Sequence, residues 1–527
     1  MRWLIRLVGS VGFLLGPLNH GAPGMVCMTP ELRASVAAVY RQAYEGFLES
    51  ALASMRELAD RAPDCAILQA YWSDLLQWQL LNRWVHESVR RDVEEAFQTA
   101  TERVIRQAQK RRPARVSDAE EAFAYATAYL LRAQWYGFLE RWWSVVEPLR
   151  RGKVWLDRAY ELDPQRPEVQ YYMGVYLYVL DRSSWVFHVL RWLLAIPGGD
   201  RTRAWPLLEQ ALSRPSPLQG EIRVVVTGLL QYEGRWMEAL DQLRQLRTDY
   251  PRNVFFHFWE GLFYERVAVD YERAFQVYQD IWERAQAGGD PRYNRWVAFQ
   301  ARYRMGYAAY KLFRFHTAEQ SFRDVLVMGD PDPPWVLPWT YLALGHLYRD
   351  WGRWDEAQAA YRQVLQLPAV VDSRSRASVA LREDYGTPYW QVYTRYVQGR
   401  VLLAEHAVAE GCAYFERWAA TADDPVARLG LGECSLARGD TTTALRHFQI
   451  ALSQAGGPGM SWAQAKAALY LGQLYEASAR DRARQYYAQV QAYPQVPGDI
   501  VQAASFRRAR LEYLEHVGGP GAVHTAP

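Results

Sequence analysis

The clearest periodicity in the chain runs from Trp339 to Pro368, WTYLALGHLYRDWGRWDEAQAAYRQVLQLP. Leu344, Gly345 and Tyr348 fall at helical spacing, Gly352 interrupts, and Trp354, Ala357, Tyr361 and Val364 resume that spacing up to Pro368. The pattern predicts a helix, a tight turn and a second helix, each with one apolar stripe. Two stripes joined by so short a turn must pack face to face. Small residues at Gly345 and Ala357 let the backbones approach, while Tyr348 and Tyr361 fill the space around them. One hairpin cannot bury both of its apolar faces alone, so the pattern also predicts neighbours of the same kind.

Those neighbours are legible on both sides. Val226, Leu230, Gly234, Trp236, Ala239, Leu243, Leu246 and Pro251 define one unit. Gly261, Tyr264, Tyr271, Ala274 and Tyr278 define the next, with one residue inserted in its turn. Met305, Gly306, Ala309, Phe315, Ala318 and Phe322 form a third, whose Ala318 lies 357 − 318 = 39 residues before its counterpart Ala357. The loop from Gly329 to Pro338 accounts for that long period. Beyond the central hairpin, Leu431, Gly432, Gly439, Ala444, Phe448 and Ala451 restore the motif, and Leu471, Gly472, Tyr475, Ala483, Tyr487 and Val490 close it. From about Gly220 to Pro494 this recurrence resembles the tetratricopeptide repeat, or TPR, whose period is roughly 34 residues. The resemblance implies an all-α fold, a right-handed superhelical solenoid of TPR and TPR-like antiparallel helix pairs. The matching residues are packing residues, so it implies no catalytic role.

The same periodicity divides the chain. Residues 1–24 carry Arg2 and Arg6, an apolar run from Leu7 to Leu18, then Ala22 and Gly24, the pattern of a secretory signal peptide. Translation starting at Met25 or Met28 would instead leave the protein cytoplasmic. Residues 29–215 read as a degenerate TPR-like helical region, with Ser117-Asp118-Ala119-Glu120 opening a helix and Asp200 capping another. Within it, 183–201 is an apolar insert carrying Trp185, Val189, Trp192 and Ile196, suited to burial in the solenoid or to a membrane surface. A regular array spans 216–369, an irregular helical pair 370–424, and further TPR units with a capping helix 425–517. Residues 518–527 form a Gly- and Pro-rich tail for which disorder is expected. An export signal, an aromatic TPR-like amino-terminal half and an apolar segment ending Ile196-Pro197-Gly198-Gly199-Asp200-Arg201 together resemble a group of exported bacterial TPR proteins. That resemblance implies an envelope location and leaves activity open.

Composition narrows the chemistry. The 61 basic and 58 acidic side chains leave a net charge of +3, without the basic surplus of a nucleic-acid binder. The basic loop Gln109 to Arg115 reads as a solvated connector. Lys occurs at 110, 153, 311 and 466 alone, so the cations are almost all Arg, suited to bidentate pairing between helices. Cys27, Cys65, Cys412 and Cys434 form no CxxC motif, which removes zinc and thioredoxin-like readings. Cys27 offers a lipid anchor as an alternative to a free mature terminus, although Met25 and Val26 depart from the small residues expected before a lipidated cysteine. Cys412 and Cys434 are either bridged or buried thiols. The ten histidines make no HxH or HxxxH pair, Gly430-Leu431-Gly432 lacks the third glycine of a dinucleotide loop, and no phosphate loop or Gly-x-Ser-x-Gly elbow occurs. No cofactor, metal or catalytic residue is expected. The leading expectation is a scaffold holding a protein or peptide partner in its concave groove, with Arg302, Tyr341, His346, Arg349 and Arg428 as candidate contacts on the first helices of their pairs. The alternative is a polysaccharide-associated envelope protein whose Trp135, Trp142, Trp143 and Trp155 stack sugars, although tryptophan at helical spacing is mostly core.

Overall fold

The computed structural model describes residues 27–81, 87–181, 198–329, 336–370, 372–454, 457, 459–494 and 496–517. The expected signal segment, all but the last residues of the apolar insert and the carboxy-terminal tail lie outside the described residues. The chain is an all-α array of TPR-type antiparallel helix pairs, with no strand among the described residues. Its described residues divide into two compact units, one within 27–39 and 51–217, the other within 40–50 and 218–517.

In the first unit the pairs are Ala66–Leu81 with Glu87–Gln109, then Ala119–Phe138 with Trp142–Leu162. Helix Pro167–Asp181 packs next against Arg201–Ser213. Asp118 caps its helix by accepting from Glu120 N at 2.8 Å, and Asp200 accepts from Thr202 N and Arg203 N at 3.0 and 3.3 Å. Each side chain satisfies amides that the first helical turn leaves without partners. Cys27 is disulfide-bonded to Cys65, a pairing the spacing did not suggest, whereas Cys412 and Cys434 in the second unit are free and buried. Burial and the neighbouring Cys412 push the Cys434 thiol well above its ordinary range, which makes it a packing group.

Among its described residues the second unit contains seven helix pairs, beginning Gln219–Tyr232 with Trp236–Asp249 and ending Ser461–Tyr475 with Arg480–Val490. In six of them a glycine on the first helix lies beneath an aromatic ring of the second. A methyl group at Gly261, Gly306, Gly345, Gly399, Gly432 or Gly472 would stand 2.3–2.9 Å from Tyr278, Phe322, Tyr361, Phe415, Phe448 or Tyr487 respectively. No side chain fits under a ring that close, so each pair closes on glycine. The Gly399–Phe415 pair, Pro388–Glu405 with Val408–Thr421, lies within the stretch whose motif the sequence leaves irregular. The residue inserted after Gly261 is absorbed by a π-turn at Tyr264–Ala268, followed by Val269 at φ 53°.

The last helix, Gly498–Val517, does more than cover the final pair. Its Asp499 accepts from Lys311 Nζ at 2.9 Å, and Gln502 Nε2 donates to the Val267 carbonyl at 3.0 Å. Phe506 packs on Phe263 and Trp236 with ring centroids 6.0 and 6.1 Å apart, and Tyr513 donates to Asp241 at 2.9 Å. The same helix holds its own end of the array through Arg507 and Arg510, both paired with Glu476. The two ends of the second unit therefore share one helix.

Candidate binding surface

Four of the five candidate contacts are engaged inside the second unit. Arg302 binds Asp324 Oδ2 through Nε at 2.9 Å and Nη2 at 2.5 Å, and lies 5.1 Å over the Trp282 ring. His346 Nδ1 is 2.8 Å from the Tyr361 hydroxyl. Arg349 pairs with Asp350 at 2.6 Å, Asp350 also accepts from Tyr310, and the Arg349 guanidinium lies 4.6 Å over Trp390. Arg428 pairs with Asp423 on the preceding loop. Tyr341 is partly buried against the core. Helix Val336–Asp350, which carries three of the five, has no exposed residue. His346 and Arg349 are brought together there, and burial with the Arg349 charge lowers the imidazole to about 3. Arg302 and Arg428 belong to other pairs.

Aromatic and cationic groups also meet between helices Pro388–Glu405, Pro425–Ala437 and Ser461–Tyr475. Phe313 occupies a turn position at φ 61° where the Gly234, Gly352 and Gly439 turns use glycine. Its ring is held 4.9 Å from Arg400 and 5.3 Å from Lys466, with Tyr396 edge-on at 6.0 Å. Those contacts offset the cost of a left-handed conformation, about 1–2 kcal/mol for a non-glycine residue. Glu433, 3% exposed, joins the group by pairing with Arg400 at 3.4 Å and Lys466 at 3.2 Å and by accepting from Tyr396 and Tyr470. Burial alone would raise this carboxyl, but Arg400 and Lys466 hold it below its usual range.

An open surface lies beside Arg349 instead. A depression of about 460 Å³ runs between Trp354, the 385–386 turn, helix Pro388–Glu405 and Tyr414. Trp354 stacks on Tyr385 at 4.9 Å and 21°, and Tyr385 meets the edge of Trp390 at 5.2 Å and 74°. Trp390 is fixed from beneath by Arg349 and laterally by its indole N–H, which donates to Glu383 at 3.2 Å. On the other side stand Gln391, Arg395 and Gln398, all exposed. Tyr414 donates to the Arg395 carbonyl at 3.0 Å, which fixes that backbone. Arg395 has no ion-pair partner among the described residues, although its guanidinium lies 4.2 Å over Trp418. Thr394, 8% exposed, has an Oγ1 without a hydrogen-bond partner in this wall.

Such a surface offers rigid aromatic faces, amide donors and acceptors, and a cation, Arg395, whose charge is not paired with a carboxylate among the described residues. It can hold an extended chain but presents no nucleophile beside a base, and no group of three or more metal-ligating side chains occurs among the described residues. Except for Trp354, these residues lie in the stretch without repeat signal. The aromatic run Tyr385, Tyr389, Trp390, Tyr393 and the 16-residue step from Gly399 to Phe415 (415 − 399 = 16) were the signals available there.

No family model matches the chain, and no curated protein matches it in sequence. Among solved structures it is similar to the human IFIT1 dimer with PPP-AAAA, at 14% identity over 79% of this chain and 89% of that one, with a TM-score of 0.33. Yeast Tom70 is similar at 11% identity over 86% and 91% of the two chains, with a TM-score of 0.29. The P58(IPK) TPR domain is similar at 11% identity over 92% and 99%, with a TM-score of 0.18. What marks the chain as a TPR-type protein is its own glycine-to-aromatic closure, repeated in six pairs of the second unit.

Proposed function

We propose that the protein is a non-catalytic scaffold of the bacterial cell envelope that holds an extended peptide segment of a partner protein on the Trp354–Tyr385–Trp390 surface. The observation that carries this reading is the open aromatic depression with Arg395 at its margin, in a unit where Arg302, His346, Arg349 and Arg428 are already engaged within the fold. Aromatic and Arg side chains dominate the energetics of such interfaces. A peptide stacking an aromatic or prolyl side chain on Trp354 and directing a carboxylate to Arg395 fits the chemistry. Selection of displayed peptides against the full chain tests it. Selected peptides should lose about tenfold or more in affinity to Trp354→Ala and to Arg395→Glu, as hot-spot truncations do. Affinity for either variant equal to that for the parent, or retention of envelope glycans in place of peptides, overturns it.

The envelope location is supported by the amino-terminal signal pattern and by the Cys27–Cys65 disulfide, since such bonds persist in oxidising compartments. Amino-terminal sequencing of the mature protein should find a start at Met25 with Cys27 oxidised. An intact Met1 overturns export, and a lipid on Cys27 replaces the disulfide with an anchor.

A further inference from the structure

The first unit exposes what its composition would bury. Of the four tryptophans of the pair Ala119–Phe138 and Trp142–Leu162, Trp135 and Trp155 are core residues at 2% and 4% exposure. Trp142 and Trp143 are 60% and 77% exposed, and Phe138 beside them is 41% exposed. They sit at the hairpin turn, where residues 140–144 are all exposed and Glu140 turns the chain at φ 58°. Phe138 stacks on Trp135 at 5.4 Å and 14°, so the tip is anchored to the core. Arg141 and Arg150 have no ion-pair partner among the described residues, whereas Glu147 is taken by Arg151. Two uncommitted guanidinium groups thus stand against one uncommitted carboxylate, Glu140.

We propose that this tip is a peripheral anchor that inserts Trp142 and Trp143 into the interface of an anionic phospholipid bilayer, with Arg141 on the headgroups. The indole combines an apolar body with an N–H donor and is enriched at the membrane–water boundary for that reason. A convex tip needs no complementary pocket in a deformable bilayer. A second copy of the chain is a poorer occupant, because two tryptophans bury about 150–250 Å² each, far short of the roughly 800 Å² per partner of a stable protein interface. Among the described residues no helix is long and apolar enough to cross a membrane. One small insertion plus a headgroup contact gives weak, reversible binding that depends on anionic lipid.

The test is co-sedimentation of the full chain with phosphatidylcholine vesicles, with and without phosphatidylglycerol. The parent protein should bind the anionic vesicles. The double variant Trp142→Ser, Trp143→Ser should lose about tenfold or more, the scale of removing most of the inserted apolar area. Arg141→Glu should weaken binding to anionic vesicles and leave the neutral ones unchanged. All these positions are exposed, so the melting temperature should not move, which separates lost binding from lost folding. Failure of the parent to bind anionic vesicles overturns the proposal, as does equal binding by the double variant. A lipid-free dimer that the double variant abolishes also overturns it, by assigning the tip to self-association.

Discussion

Two glycines on first helices of the second unit should respond to alanine with opposite signs. Gly228 and Gly345 both lie inside helices, where replacing glycine by alanine gains about 0.5–1 kcal/mol from backbone entropy alone. Around Gly228 a new methyl group meets nothing within 4 Å, so Gly228→Ala should stabilise the protein by that amount. At Gly345 the methyl would lie 2.3 Å from Tyr361 Cε1 and 2.5 Å from Cδ1. Carbon atoms rest at about 3.5–4.0 Å, so the overlap exceeds 1 Å and something must move. Tyr361 has no room to yield, being 0% exposed and tied through its hydroxyl to His346. Overpacking of a closed core costs about 1–3 kcal/mol, and this overlap belongs near the top of that range. Subtracting the entropic gain leaves Gly345→Ala destabilised by about 2 kcal/mol. A long array need not unfold in one step, so the measurement is native-state hydrogen exchange of helices Val336–Asp350 and Trp354–Gln366 alongside urea denaturation. If Gly345→Ala is as stabilising as Gly228→Ala, ring-over-glycine contact does not close these pairs.

Three further substitutions probe other parts of the second unit. His346 is held at about 3 in the native state, against about 6.5 when unfolded. Below pH 6.5 the unfolded chain takes up a proton that the native one refuses, so stability falls with pH by about 1.4 kcal/mol per unit until pH 3. Between pH 7 and 5 the parent should therefore lose about 2 kcal/mol more than His346→Gln, from 1.5 units below 6.5. Parallel melting temperatures for the two would refute this. Glu433→Gln leaves Arg400 and Lys466 without their buried carboxylate and should cost about 3–5 kcal/mol, read from the denaturation midpoint. Phe506→Ala should cost about 3–5 kcal/mol and accelerate exchange in Trp236–Asp249 and Val254–Phe263 as well as in its own helix. Acceleration confined to Gly498–Val517 would mean that the ends of the unit are independent.

The hairpins were readable from the chain because their constraint is local. A glycine and an aromatic about 16 residues apart meet whenever two helices fold back, and the extra residue after Gly261 was visible before its π-turn was. The surface beside Arg349 was not readable, since Trp354, Tyr385 and Trp390 meet only when one pair packs on the next. Helical periodicity says which face of Arg302, His346 or Arg349 is inward, but not that Asp324, Tyr361 and Asp350 already engage them. Trp142 and Trp135 have the same composition signal and opposite environments, because the turn at Glu140 ends the buried face between them. The Cys27–Cys65 bond joins residues 38 apart across a helix pair, a closeness that no motif announces.

The helix shared by both ends of the second unit also bears on how this protein can evolve. An open repeat array gains or loses a unit by duplication or deletion, since each unit answers only to its neighbours. Here Asp499, Gln502, Phe506 and Tyr513 must meet Lys311, Val267, Phe263 and Asp241 at fixed places. Adding or removing one pair between them would carry those partners out of reach together. Repeat number in the second unit is thus a fixed quantity, and change is confined to loops, to exposed faces and to residues that leave the count intact.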